Sequence, residues 1–188
     1  MNFHNSIVQA HFDSPLGDMV LAATDHGLAG AWFTNQRHRP EAMDFKNVPH
    51  AWPQQDSHPV LIMAAKQLQE YFAGRRKDFD LPLDINGGTL FQQSVWRALL
   101  KIAYGQTSSY GDISQQIGNP KAVRAVGSAV GRNPLGLIVP CHRVLGSDGS
   151  LTGYAGGLDR KVSLLKLEGV AHKPQFATLA ATPAMTLF

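Results

Sequence analysis

A chain of 188 residues, 44% hydrophobic and 16% charged, has the make-up of a soluble globular protein with room for one large domain or two small ones, which excludes a disordered or fibrous chain. No apolar run approaches the roughly 18 residues of a membrane-spanning helix, and Met1–Ser6 lacks the basic start of a secretory signal, so neither feature is expected. Its one cysteine excludes an internal disulfide and a cysteine-rich zinc site, and fits a cytoplasmic setting.

The charge is unevenly spread. Residues 1–89 hold seven Lys/Arg against ten Asp/Glu, a net of −3, whereas residues 90–170 hold nine against four, a net of +5. Such asymmetry points to an anionic partner for the second half, although a chance split of solvated surface charge would look the same.

In chain order, residues 6–12, 19–23 and 28–33 are short apolar or alternating runs. The turn signals Ser14-Pro15-Leu16-Gly17 and His26-Gly27 separate them, which predicts an antiparallel meander. A polar stretch with Pro40, Pro49 and Pro53 reads as a loop with one short helix. Pro59 opens a helix with Leu61, Ala65, Leu68, Tyr71 and Phe72 at helical spacing, and Gly74 stops it. Residues 79–85 read as one more strand, and Asn86-Gly87-Gly88 as a hinge.

Thr89 is a cap for a helix reaching about residue 103, and Ser109 for a short helix to 117. After the break Gly118-Asn119-Pro120, a helix over 121–131 completes a helix–turn–helix pattern that a plain helical hairpin would share. Residues 137–139 form a β-branched run before Pro140, which puts Cys141 at a strand end. A final helix over about 159–168 closes at Gly169. Residues 171–188, rich in Ala, Thr and Pro, read as a disordered tail.

Free cysteines are commonly small buried apolar residues. Cys141 differs in its neighbours: His142 and Arg143 supply polar or cationic surroundings that favour thiolate, and Glu168 is placed to orient a histidine. Adjacent residues of an extended chain point to opposite faces, so His142 cannot readily bond Cys141 directly and needs a turn or a water between them. The other histidines are mostly N-terminal, in loop-like sequence expected to be solvated.

Several motifs follow one another in order: Phe91-Gln92-Gln93-Ser94-Val95-Trp96; Ser109-Tyr110; Gly118 through Gly127; Asn133-Pro134; Pro140-Cys141-His142-Arg143-Val144; Gly153-Tyr154-Ala155-Gly156-Gly157-Leu158; and Leu164 through Gly169. Together they resemble the O6-alkylguanine-DNA alkyltransferase family. The resemblance implies an α+β protein, with a small ribonuclease-H-like sheet-and-helix domain over 1–86 and a mainly helical, winged-helix DNA-binding alkyltransferase domain over 87–170.

It further implies that Cys141 attacks the alkyl carbon on guanine O6, with thymine O4 as an alternative target, and keeps the group irreversibly. His142 would be the base through a water, Glu168 its orienter, and Asn133 the brace of the active-site turn. The target nucleotide must leave the stack to be reached. Arg124 would fill the gap, Tyr110 would crowd the 3′ phosphate and donate to the flipped base, and Val144, Tyr154, Ala155 and Gly156 would line the base pocket. The small residues Ala122, Ala125, Gly127 and Ser128 suit close approach in the minor groove, though tight helix packing would favour them too.

The implied partner is double-stranded DNA carrying O6-alkylguanine, met by a monomer that needs no cofactor, metal or membrane. Gly136 and Ala155 stand where some relatives carry proline and serine, an exchange expected to widen the pocket. Two other readings fit a helix–turn–helix: a module that binds alkylated bases without reacting, and a transcription regulator with a structural cysteine. Neither predicts a covalent product.

Overall fold

The computed structural model describes Met1, residues 3–44 and residues 50–170. The tail expected over 171–188 lies outside the described residues.

The meander forms as its turn residues predict. β1 (Val8–Phe12), β2 (Met19–Thr24) and β3 (Gly27–Phe33) pair antiparallel in the order β1-β2-β3, with a register shift at Ala22/Ala23. Every residue of β2 and β3 is buried, because the sheet is covered on both sides. Leu21, Ala23, Leu28 and Phe33 join the main core with α1 (Pro59–Phe72), while Val20, Ala22 and Trp32 meet Ile7, Met43, Phe3 and Trp52 on the other face. Helix α1 buries Leu61, Ala64, Leu68 and Tyr71, a stripe that the i, i+3, i+4 spacing predicts.

Residues 79–85 are not a strand. Their only ladder contact with β3 is the parallel bridge Leu28↔Leu83, where Leu28 N donates to Pro82 O at 2.7 Å and Asp84 N to Leu28 O at 2.8 Å. Pro82 has no N–H to extend the ladder.

The second half is helical: α2 (Leu90–Leu99), α3 (Tyr110–Gln116), α4 (Val123–Gly131) and α5 (Leu158–Leu167). Reciprocal capping boxes start α2 (Thr89 with Gln92) and α3 (Ser109 with Asp112), each worth about 1 kcal/mol. Helix α2 stops at Leu99, short of residue 103, because tighter i→i+3 bonds from Lys101 and Ile102 wind it into the turn at Gly105, whose φ is 74°. Trp96 is fully buried and its indole N–H donates to Ala129 O at 2.9 Å, locking α2 to α4. A two-residue parallel pair joins β4 (Ser108–Ser109) to β5 (Val144–Leu145).

The largest departure from the sequence reading lies at the cysteine. Residues 137–139 form no strand, and Cys141 opens a single 3-10 turn, Cys141–Arg143. The Asn133 side chain holds both ends of the preceding loop, accepting from Leu135 N at 3.0 Å and donating to Val139 O at 2.7 Å. Those backbone groups are thereby taken from any sheet. Leu137 completes the loop in the left-handed region at φ 68°, a conformation costing a β-carbon-bearing residue about 1–2 kcal/mol and held by full burial of its side chain.

Candidate active site and nucleic-acid face

Cys141 Sγ receives the amide of Asn133 at 3.2 Å, so the side chain that shapes the loop also touches the thiol. Burial pushes the thiol pKa up, and the Asn133 hydrogen bond and the positive charge of Lys161 oppose that rise. The positive charge that favours the thiolate is that of Lys161, whereas the sequence suggested His142 and Arg143.

Arg143 instead turns to Glu168, with Nε to Oε2 at 2.8 Å and Nη2 to Oε1 at 2.9 Å, and its Nη1 reaches Ile102 O at 2.5 Å. Glu168 caps α5 and gathers three further donors: His142 Nε2 at 2.8 Å, Tyr71 OH at 2.7 Å and Gly105 N at 3.3 Å. Burial alone would raise this carboxyl, but the hydrogen bonds from His142 and Arg143 prevail and hold its pKa at about 2. Because its partner is an ionised carboxylate, His142 Nε2 must carry the proton. The bare nitrogen is then Nδ1, which is buried and has no hydrogen-bond partner among the described residues. Burial also lowers the pKa of this imidazole, so it rests neutral with a lone pair to offer.

Lys161 is fully buried, and its Nζ donates to Val144 O at 2.6 Å and Thr152 O at 3.2 Å. Burial lowers its pKa to about 8. A signal for it was present in the sequence: Lys161, Leu164, Leu165 and Glu168 follow i, i+3, i+4, i+7 and share the buried stripe of α5. Tyr71 sat in the predicted core stripe of α1, but nothing local disclosed its hydroxyl partner.

Beside this cluster lies a cavity of about 280 Å³ lined by Arg37, His38, Tyr110, Gly127, Gly131, Gly153, Tyr154 and Ala155. The β4–β5 pairing explains why Tyr110 is here, since it follows β4 directly while β5 follows the cysteine turn. Cys141 does not line the cavity itself, but it lies close enough for its charge to act on both Tyr110 and Tyr154, whose hydroxyl pKa values are raised chiefly by burial. Tyr110 OH pairs with Thr152 Oγ1 at 2.9 Å.

Arg37 and His38, from the N-terminal half, are wall residues the sequence reading did not find. Arg37 N donates to Ala155 O at 3.0 Å, and His38 takes a left-handed φ of 62°. Gly156 supports the wall without lining it, because a β-carbon there would meet the Tyr154 ring at 2.7 Å and the Phe33 ring at 3.1 Å. Val144 is buried with its carbonyl engaged by Lys161.

Gly136, expected to widen the pocket, is not among the lining residues. It packs on β3, donating its N–H to Ala31 O at 3.0 Å, and a β-carbon would sit 3.0 Å from that same oxygen.

On α4 the buried residues are Val126, Ala129 and Val130. Arg124, Ala125 and Ser128 are exposed and Ala122 and Gly127 half-buried, so tight helix packing does not explain the small residues at 125 and 128. Arg132 on the same side bonds Ser128 Oγ.

A thiol bonded by Asn133 and next in sequence to a buried histidine–carboxylate pair, in the same half as a helix–turn–helix that exposes Arg124 and Arg132, defines a cysteine-centred protein on a DNA-binding type of scaffold. Residues 90–170 match the DNA-binding domain of 6-O-methylguanine DNA methyltransferase, and residues 7–85 match its ribonuclease-like domain. The chain belongs to this family.

A methylated-DNA–protein-cysteine methyltransferase of Methanosarcina acetivorans is 49% identical over 160 residues, which cover 85% of this chain and 97% of the relative. The constitutive enzyme of Bacillus subtilis is 43% identical over 162 residues, covering 86% and 94%. Among solved structures, the O6-methylguanine methyltransferase of Mycobacterium tuberculosis superposes with a TM-score of 0.75 at 42% identity, covering 92% of this chain and 98% of that one. A Mycobacterium tuberculosis OGT in complex with DNA gives 0.74 at 43% identity, covering 93% and 98%.

Proposed function

We propose that this protein repairs DNA by moving the alkyl group of O6-alkylguanine onto Cys141 in a single, irreversible turnover. The observation that carries the reading is the wiring of the thiol: Asn133 bonds Sγ, and the neighbouring His142 is bound to Glu168 through Nε2, which leaves its buried Nδ1 as a lone-pair acceptor. A water between Sγ and Nδ1 carries the thiol proton to His142, and Glu168 stabilises the imidazolium. The sulfur then bonds the alkyl carbon, the carbon–O6 bond breaks, and the guanine retains that electron pair and regains a proton. Lys161 favours the thiolate through its charge.

The alkyl carbon is out of reach inside a stacked duplex, so the nucleotide turns into the cavity bounded by Tyr110, Tyr154 and Ala155. Gly156, packed on the Tyr154 ring, and Val144 are assigned to the same base site. The exposed face of α4 meets the minor groove: Ala122, Ala125, Gly127 and Ser128 allow close approach, and Arg124 occupies the vacated stack.

In this reading residues 1–86 and 87–170 are the two domains, and a monomer acts on double-stranded DNA in the reducing cytoplasm, where the thiol stays available. Among the described residues, no helix is long and apolar enough to cross a membrane.

The test is mass spectrometry after incubation with duplex DNA containing O6-methylguanine. The Cys141 peptide should gain one methyl group, and Cys141→Ser should gain none. An unchanged wild-type mass would sink the proposal.

A further inference from the structure

Glu168 Oε1 serves three donors at once, and one comes from the other half of the molecule. Tyr71, fully buried near the end of α1, donates its hydroxyl to that oxygen at 2.7 Å across 97 residues of sequence. The same oxygen receives His142 Nε2 at 2.8 Å and Arg143 Nη2 at 2.9 Å. An aromatic cluster fixes the Tyr71 ring, with centroids 5.4 Å from Phe79 and 6.2 Å from Tyr104. The hydroxyl therefore has little freedom to leave the carboxylate.

We infer that Tyr71 is a positioning residue for alkyl transfer: its hydroxyl holds the Glu168 carboxylate against His142 and takes up part of the charge that would otherwise bind the His142 proton. This rests on the proposed role of His142 as the base. The three donors compete at one oxygen. Each donor draws electron density from the carboxylate, so a third donor weakens its hold on the imidazole N–H. The N-terminal half thus acts on the reacting thiol through Tyr71, Glu168 and His142 in turn.

Other ionisable groups bear on the pair from every side. Cys141 and Arg143 share its turn, the charge of Lys161 acts on it from α5, and Tyr104, in the segment after α2 with Lys77 and Arg143 over its ring, feels the Glu168 charge. None of these changes when only the Tyr71 hydroxyl is removed, and Tyr71→Phe keeps the ring.

The experiment measures the rate of Cys141 modification against pH in the full chain, with two probes: duplex DNA carrying O6-methylguanine, and iodoacetamide, which needs no DNA and meets the chain's single thiol. In Tyr71→Phe the carboxylate should hold the imidazolium more strongly. The acid-side break of both profiles should then move to higher pH by about half a unit or more. Tyr71→3-fluorotyrosine, a stronger donor of nearly the same shape, should move the break the other way, and it decides the matter alone if the Phe variant fails to fold.

Breaks that stay in place, or a downward move in Tyr71→Phe, would overturn the inference and leave Tyr71 a packing residue. Failure of the wild type to take methyl from DNA would defeat the proposed function instead, and the iodoacetamide profile would still judge Tyr71.

Discussion

The Glu168 cluster and the outer face of α4 are built on opposite principles. In the cluster, five donors converge on one carboxylate, all but one within 3.0 Å, and Glu168, His142 and Arg143 are buried. On α4, Arg124, Ala125 and Ser128 lie exposed. Groups that tune a thiol must be fixed before substrate arrives, because reorganising charge in a dry site is costly. Groups that meet a phosphate backbone gain from staying hydrated until the polyanion replaces their counterions. Under the proposed function, preorganisation therefore belongs to the chemistry and availability to binding.

That contrast predicts unequal responses to substitution. The largest effect is expected for Glu168→Gln, which leaves Arg143 and His142 without their counter-charge. Transfer should slow by roughly 100-fold or more, and stability should fall by about 3–5 kcal/mol, measured by single-turnover kinetics and urea unfolding. The same residue sets an acid response. Its folded-state pKa of about 2 lies below the usual 4.5, so its stabilisation is complete above about pH 4.5 and is lost as pH falls toward 2. Wild-type unfolding energies should drop across that window, and those of Glu168→Gln should change less there.

Arg124→Ala should slow repair of duplex DNA by about 10- to 100-fold, since base flipping costs a few kcal/mol, and should barely alter reaction with free O6-benzylguanine. Equal losses with both substrates would break the contrast, because they would make an exposed residue part of the chemistry. Gly136→Pro should lose the bond to Ala31 O and press on that oxygen, costing about 3 kcal/mol as a lowered melting temperature. A variant of unchanged stability that accepts benzyl groups less readily would return Gly136 to the pocket wall.

The smallest effect is expected for Lys161→Met. Removal of its charge should raise the midpoint of thiolate formation at Cys141 by about one pH unit, followed by ultraviolet absorbance of the only thiol. Lys161 itself has a folded-state pKa of about 8, below its ordinary 10.5. The wild type should accordingly gain stability as pH rises between those values, and Lys161→Met should lack that gain.

Much of this architecture was legible from local pattern. The three strands, the stripe of α1 and the caps at Thr89 and Ser109 follow from turn residues, periodicity and side-chain oxygens acting within a few positions. Two apolar runs misled. Residues 79–85 and 137–139 have strand composition, but Pro82 cannot donate and Asn133 takes up the backbone groups that a ladder would use. Cys141 begins a turn rather than ending a strand, yet among the described residues no hydrogen bond joins the His142 imidazole to the thiol, as expected for neighbours that need a water between them.

At the site, Cys141, His142, Glu168 and Asn133 could be named because they stand in an ordered set of motifs. Two of the site's controlling groups were not, although the helical spacing of Lys161 with Leu164, Leu165 and Glu168 hinted that the lysine is buried. A buried lysine reads as surface charge until its helix is seated, and a core tyrosine reads as apolar bulk until something meets its hydroxyl. The sequence alone determined most of the elements, the candidate nucleophile and the family, since short-range sterics, capping and motif order are written in neighbouring residues. Only the tertiary structure decided which cation's charge acts on the thiol, that Gly136 packs on β3, and that an N-terminal tyrosine reaches the Glu168 carboxylate. Those are meetings between segments distant in the chain, fixed by packing and desolvation, and no local periodicity carries them.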